Sequence, residues 1–238
     1  LKQVYHLYNF IEPLLKNIGT TKSDFSLVDH GAGKSYLGFI LYDLFFKDHK
    51  SGHIFGIETR DELVLKSKNL ARECQFERMH FLNLSVEESM TALDLPETID
   101  IVTALHACNT ATDDAIKFGL QKKSQYMVIV PCCQAEVASV LKKNKASLKS
   151  ALSEIWRHPL HTREFGSQLT NVLRCLQLEA HGYQVTVTEL VGWEHSMKNE
   201  LIIAKYNPDT NKKKAAEKLS LLLEDVGLIE LKERFFIP

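Results

Sequence analysis

Two groups of residues in this chain have types and spacings suited to chemistry. The first lies in Phe25 to Ser35, FSLVDHGAGKS, where a short apolar run meets Asp29 and a Gly-x-Gly turn at Gly31 and Gly33. Glycine lets the backbone approach a ligand closely, and the free N–H groups of a following helix attract negative charge. That combination describes a nucleotide-type site. Two common phosphate loops do not match it. A P-loop needs a glycine five positions before Gly33, where Val28 stands, and the dinucleotide fingerprint needs one at Tyr36. The second group is His106, Cys108, Cys132 and Cys133. These residues could supply a thiolate nucleophile, a zinc site or an inert pocket lining. Adjacent cysteines fit poorly with the two-residue spacer of zinc sites. Thiolate addition to C6 of a pyrimidine, which activates C5, and simple pocket lining stay open side by side.

The elements that must carry these residues follow from periodicity. Val4, Leu7, Tyr8, Ile11, Leu14, Leu15 and Ile18 predict an amphipathic leading helix that Gly19 stops. The strand into Asp29 is followed by helical spacing at Tyr36, Leu37, Ile40, Leu41 and Leu44, a helix to about Lys47. Further strands are expected at His53 to Glu58, Met79 to Leu84, Ile99 to Leu105 and Tyr126 to Val130, with helices at Asp61 to Cys74, Val86 to Leu93 and Thr110 to Leu120 between them. Alternation of this kind predicts a parallel sheet covered on both faces. Beyond Pro131, helices are expected over Ala135 to Trp156 and Glu164 to Ala180, with His158, Pro159 and His161 in a break. Tyr183 to Leu190 and Glu200 to Tyr206 are close enough to pair antiparallel. A Lys-rich helix over 211–226 and a last strand from Leu228 to Phe236 complete the chain. The expected division is one domain over 1–206, with 1–19 as its leading helix, and a helix-and-strand appendage over 207–238.

Composition narrows the classes. The 238 residues are 45% hydrophobic and 25% charged with net charge −1, an ordinary globular balance without a global basic field. No apolar run spans a bilayer, and nothing reads as a signal peptide. Five cysteines, two of them adjacent, are no disulfide framework, so a reducing cytoplasm is the expected setting. The chain begins at Leu1 in place of Met, as a trimmed chain would.

In open α/β sheets, ligands bind at the carboxyl ends of the strands, where strand order reverses. Asp29 and Glu58 end the first two expected strands, and Glu58 lies where a carboxylate accepts both hydroxyls of a ribose. The segments DHGAGKS, FGIE, ALHACNTATDDA and VIVPCCQ, in that order over roughly residues 1–206, resemble class I S-adenosylmethionine (SAM)-dependent methyltransferases. Within that class they look like the "methyltransferase domain" group that includes the methyltransferase-like protein 25 relatives. The resemblance implies a Rossmann-like doubly wound α/β sheet in order 3-2-1-4-5-7-6, the last pair antiparallel, with SAM as cofactor. It implies that Asp29, Gly31 and Gly33 face the methionine end and Glu58 the ribose. Leu84 and Ser85 would flank adenine, and Leu105 and His106 would lie under the sulfonium. Two departures stand out: Ser35 replaces the third glycine of the loop, and Asn83 to Ser85 lack an acidic residue for the adenine amine.

No Asn-Pro-Pro-Tyr or Asp-Pro-Pro-Tyr loop is present, which disfavours the amine-methylating family that uses it. Cysteines after the fourth and fifth strands match the layout of RNA cytosine-C5 enzymes, with Cys108, Cys132, Cys133 and His106 as the catalytic candidates. Arg163, Asn171 and Arg174, on a segment expected to return over the sheet edge, and His195 with Trp193 in the final hairpin are the substrate candidates. Lys142, Lys143, Lys145 and Lys149 form a local basic run beside them. Such runs are usually solvated faces, so it is mostly by analogy with the family resembled that the expected acceptor is RNA, with a small molecule, a protein, or a SAM-binding scaffold without catalysis as the other readings. No membrane partner and no metal are expected, and the oligomeric state is left open.

Overall fold

A computed structural model describes residues 2–105, 109–131, 134–144, 151–190 and 199–235. The chain runs α1 (Lys2–Thr21), β1 (Ser26–His30), α2 (Tyr36–Leu44), β2 (His53–Glu58), α3 (Asp61–Glu73), β3 (Met79–Asn83), α4 (Val86–Thr91), β4 (Ile101–Leu105), α5 (Ala111–Gln121) and β5 (Tyr126–Val130). It continues through α6 (Glu136–Asn144), α7 (Pro159–Ala180), β6 (Tyr183–Glu189), β7 (Glu200–Tyr206), α8 (Lys212–Asp225) and α9 (Lys232–Phe235). Among the described residues the sheet has seven strands in the order β3-β2-β1-β4-β5-β7-β6, as expected. β1 to β5 pair in parallel, and β7 runs antiparallel to both β5 and β6.

Each face of the sheet has its own apolar layer, as parallel strands with buried sides require. Leu27, Ile54 and Phe81 pack with Leu7, Ile11 and Leu15 of α1 and Leu37 and Leu41 of α2. Val28, Ile57, Val102 and Met127 pack on the other side with Ala115, Ile116 and Phe118 of α5. A third core forms away from the sheet, where Leu169 and Leu173 of α7 meet Leu219 and Leu223 of α8. None of the helices among the described residues is long and apolar enough to cross a membrane.

Several boundaries differ from expectation. The helix expected over Ala135 to Trp156 is, among the described residues, α6 to Asn144 and a 3₁₀ stretch at Ala151–Trp156. Gly19 does not stop α1, which continues to Thr21. The expected break is present at 157–158, with His158 extended, but it ends there: Pro159 opens α7, because a proline at the first helical position gives up no hydrogen bond and already has helical φ. His161 accordingly lies inside α7. The expected strand over 228–236 is, up to residue 235, a 3₁₀ turn at Ile229–Leu231 followed by α9. Leu228, Leu231 and Phe235 are all buried in the third core, and their spacing of three and four is helical.

Candidate functional site

The carboxyl end of β1 is shaped by backbone. Gly31, Gly33 and Ser35 all have positive φ, at 72°, 58° and 53°. The amides of Gly31 and Ala32 both donate to the Ile57 carbonyl, at 3.0 and 2.9 Å, so the turn is stitched to β2. A Cβ on Gly31 would meet nothing within 4 Å among the described residues, which leaves open space beside it. Ser35 holds the left-handed conformation that a third glycine would take, at a strain of about 1 kcal/mol for a residue with a Cβ. Its hydroxyl points at Gly38, where an added Cβ would come within 2.6 Å of Oγ. Gly38 is thus the accommodation that lets Ser35 stand in for glycine without changing the turn.

Asp29 and His30 are adjacent, buried and opposed in chemistry. Burial pushes the Asp29 carboxyl up to about 7, against a 2.8 Å hydrogen bond from Thr103 Oγ1 that pulls it down. His30 packs on the Phe118 ring, and burial pulls its imidazole down to about 4. Its Nε2 has no partner among the described residues, so the ring stays neutral.

Glu58 ends β2 and meets the turn. Its Oε2 accepts from the Gly33 amide at 2.9 Å and from Arg60 Nη2 at 3.1 Å, while Oε1 accepts from the Arg60 amide at 3.0 Å and Nε at 3.1 Å. Burial raises this carboxyl, but the hydrogen bonds and charge of Arg60, with the Gly33 amide, outweigh it and hold it at about 2. Next to it, Asn83 donates its side-chain amide to the carbonyls of Glu58 and Thr59 at 3.1 and 2.9 Å. Asn83 therefore braces the Glu58 turn. Ser85 caps α4 in a reciprocal box with Glu88, so its hydroxyl and amide are already engaged. Leu84 is half-buried beside the same strand end.

On the other side of β1, Leu105 closes β4 opposite Val130 of β5. His106, Cys108, Cys132, Cys133 and His195 lie outside the described residues, as do Trp193, Lys145 and Lys149. Cys175, half-buried on α7, has its thiol pushed up to about 12, mainly by burial and then by Glu200 and Glu179, and is a poor nucleophile. Among the described residues no cluster of three histidines, cysteines or carboxylates could hold a metal.

The substrate candidates on α7 need correction. Arg174 is 1% exposed and forms a fork with Asp113 of α5, Nε to Oδ1 at 2.8 Å and Nη2 to Oδ2 at 2.9 Å. A guanidinium committed to a buried carboxylate cannot neutralise a phosphate. Asn171 is also buried; its Oδ1 accepts from Arg174 Nη1 and Gln134 Nε2, and its Nδ2 donates to Glu200 at 2.7 Å. Arg163 is exposed but paired with Glu164 at 2.8 Å, and Lys143 with Glu230 at 3.4 Å. Asp113, Asn109, Gln134 and Glu200 were not singled out from sequence, although Asn109, Asp113 and Gln134 fall within its two cysteine-bearing segments. No local spacing pairs a residue at 113 with one at 174.

The family model described as "Methyltransferase domain" matches residues 1–140. A curated relative, the "Glutathione S-transferase C-terminal domain-containing protein" of Bos taurus, is 24% identical over 196 residues, covering 74% of this chain and 29% of its own length. The chain thus spans less than a third of that relative. Among solved structures, a putative O-methyltransferase from Klebsiella pneumoniae superposes with a TM-score of 0.50 at 10% identity, over 87% of this chain and 80% of that one. A SAM-dependent methyltransferase from Aquifex aeolicus gives 0.45 at 18% identity, over 81% and 87%. At these identities the structural likeness is one of fold.

Proposed function

Because the chain belongs to the methyltransferase-domain family, whose cofactor is S-adenosylmethionine, we propose that it transfers the methyl group of that cofactor to RNA. The observation that carries the cofactor site is the joint between β1 and β2. Open space over Gly31, two positive-φ glycines and an ionised Glu58 in contact with the Gly33 amide together fit a nucleoside with two ribose hydroxyls. Glu58 would accept from those hydroxyls, Asp29, Gly31 and Gly33 would face the amino-acid end, and Leu84 would wall the base. Ser85 would contribute only as the cap of α4, since its polar atoms are engaged. Leu105 and His106 would lie beneath the sulfonium. Bound SAM supplies an electrophilic methyl carbon, which asks of the protein chiefly alignment and, for a weakly acidic acceptor, a base.

RNA as acceptor is supported by the sequence: cysteines follow both β4 and β5 in the chain, at 108 and at 132 and 133, the layout of RNA cytosine-C5 enzymes, whose thiolate adds to a pyrimidine C6. The subfamily resemblance to methyltransferase-like protein 25 relatives belongs to the same proposal. So does the division into a catalytic domain over 1–206 and an appendage over 207–238, whose α8 buttresses α7. A second reading, a small-molecule or protein acceptor, is favoured by one observation: Arg60, Lys143, Arg163 and Arg174 are all paired with carboxylates. Single-turnover transfer of labelled methyl to total cellular RNA tests the choice. Label in RNA that disappears with Cys→Ser at 132 or 133 supports the thiolate reading; label only in protein or small molecules overturns the acceptor.

A further inference from the structure

Three stretches of the sheet edge are linked through two buried side chains, Arg174 and Asn171. Arg174 Nη2 donates to the backbone carbonyl of Asn109 at 2.9 Å, just after β4 and its following residues 106–108. Asn109, held at φ 53°, accepts the Ala135 amide on its Oδ1 at 3.2 Å, which ties that segment to the one leaving β5. Arg174 Nη1 reaches Asn171 Oδ1 at 3.2 Å, and the same oxygen takes Gln134 Nε2 at 2.9 Å. Gln134 is fixed at its other end by Ser167 Oγ at 2.8 Å. Asn171 then passes the connection to Glu200, the first residue of β7. Asp113 of α5 pairs with the guanidinium.

We propose that Arg174 is a positioning residue, holding the segments after β4 and β5 and the entry to β7 in one fixed relation at the catalytic edge. The inference rests on the methyltransferase reading of that edge. A planar guanidinium suits the task because one buried group bonds a carboxylate, a carbonyl and an amide oxygen in different directions. A packing role alone would be met as well by an apolar side chain, and would not place three donors on residues that flank the loops. The cofactor turn at β1 and β2 is no part of this network, so the two halves of the site can be disturbed separately.

Amide hydrogen exchange on the purified chain tests this without any substrate. In Arg174→Lys, one ammonium keeps the charge but cannot hold Asp113, Asn109 and Asn171 together. Amides at 109–110, 134–136 and 199–201 should then exchange at least tenfold faster together, while those of β1 to β3 stay within twofold. Uniform acceleration along the chain, or acceleration confined to α7, overturns the proposal. Asn109→Gly keeps the positive φ and the Arg174 ion pair while removing one tie, and serves where Arg174→Lys does not fold. It should quicken exchange at 134–136 at least threefold; no change there overturns the proposal. With RNA as acceptor, Arg174→Lys should lower kcat at least tenfold and leave S-adenosylhomocysteine affinity within twofold. Equal loss of that affinity would make the residue part of the general fold. Absence of transfer by the unaltered chain overturns the RNA reading alone, and the exchange result still decides this one.

Discussion

The edge made by β1 and β2 and the edge made by β4, β5 and β7 are held by different physics. At the first, backbone does the work: positive-φ residues, two amides on the Ile57 carbonyl, and one carboxylate within two residues of its own cation. At the second, buried side chains from distant points of the chain meet, Asp113 with Arg174 and Asn171 with Glu200. A backbone-built site tolerates side-chain change outside a few positions. A side-chain network fails when one member is removed, because each remaining polar group is left buried and unsatisfied.

The largest expected effect follows from that difference. Arg174→Met leaves Asp113, 6% exposed, without its partner, and removal of one member of a buried ion pair typically costs about 3–5 kcal/mol. Asp113→Leu combined with Arg174→Met removes both charges and should recover most of the loss. Urea unfolding of the two variants checks this, and a double variant no more stable than the single would show that the charge is not what matters.

The difference also explains what could be read in advance. The β1 turn, Glu58 and the alternation of strands and helices follow from local runs and spacings, and the strand order from the family resemblance those runs carry, so residues 25–58 can be interpreted without tertiary information. Arg174 and Asn171 share a helix face as their spacing of three requires, yet that face is turned inward. Charge on a helix reads as solvent exposure unless its partner is known, and Asp113 is 61 residues away. The end of the chain failed for a related reason: Leu228, Leu231 and Phe235 are apolar enough for a strand, and only the core under α7 and α8 selects the helical spacing. Ser35 looked like a defect in the loop, and the absent side chain at Gly38 shows why it is not.

Within the β1 edge, pH should expose two opposed groups. Asp29 is raised when folded, so its contribution is full below its ordinary value near 4 and is lost as pH rises through about 7. His30 is lowered when folded, so its contribution is full above its ordinary 6.5 and is lost as pH falls toward about 4. Between pH 4 and 6.5 the two slopes oppose, each on the order of 1 kcal/mol per pH unit. Asp29→Asn should therefore be the more stable form at pH 8 by roughly 2–4 kcal/mol. His30→Leu should become less stable with rising pH across that window, while the unaltered chain changes little. Unfolding midpoints at four pH values from 4.5 to 7.5 decide it, and parallel curves for all three proteins would rule the pairing out.

Glu58→Ala probes the proposed ribose contact. It removes a charge-assisted acceptor of two hydroxyls, which should weaken S-adenosylhomocysteine by roughly 1.5–3 kcal/mol, or about 10- to 150-fold. Calorimetry on the variant measures it, and unchanged affinity would take the carboxylate out of the site. The contrast with Arg174 is then sharp: one change removes cofactor affinity with modest loss of stability, the other the reverse.

The smallest effect concerns Arg60, and it has a definite sign. Its guanidinium lies on both oxygens of Glu58 while its own side chain is 62% exposed. A ligand that needs the Glu58 oxygens must displace at least part of that contact. Exposed pairs of this kind contribute little, because water and salt compete with them and a long side chain must be ordered. Arg60→Ala should leave the unfolding midpoint nearly unchanged. The backbone amides of Gly33 and Arg60 still hold the carboxylate in place. S-adenosylhomocysteine should bind about two- to fivefold more tightly, and raising salt should bring the unaltered chain toward the variant as the ion pair is screened. Weaker binding by Arg60→Ala would instead mean that the guanidinium contacts the cofactor directly, and that even this backbone-built edge depends on one long side chain.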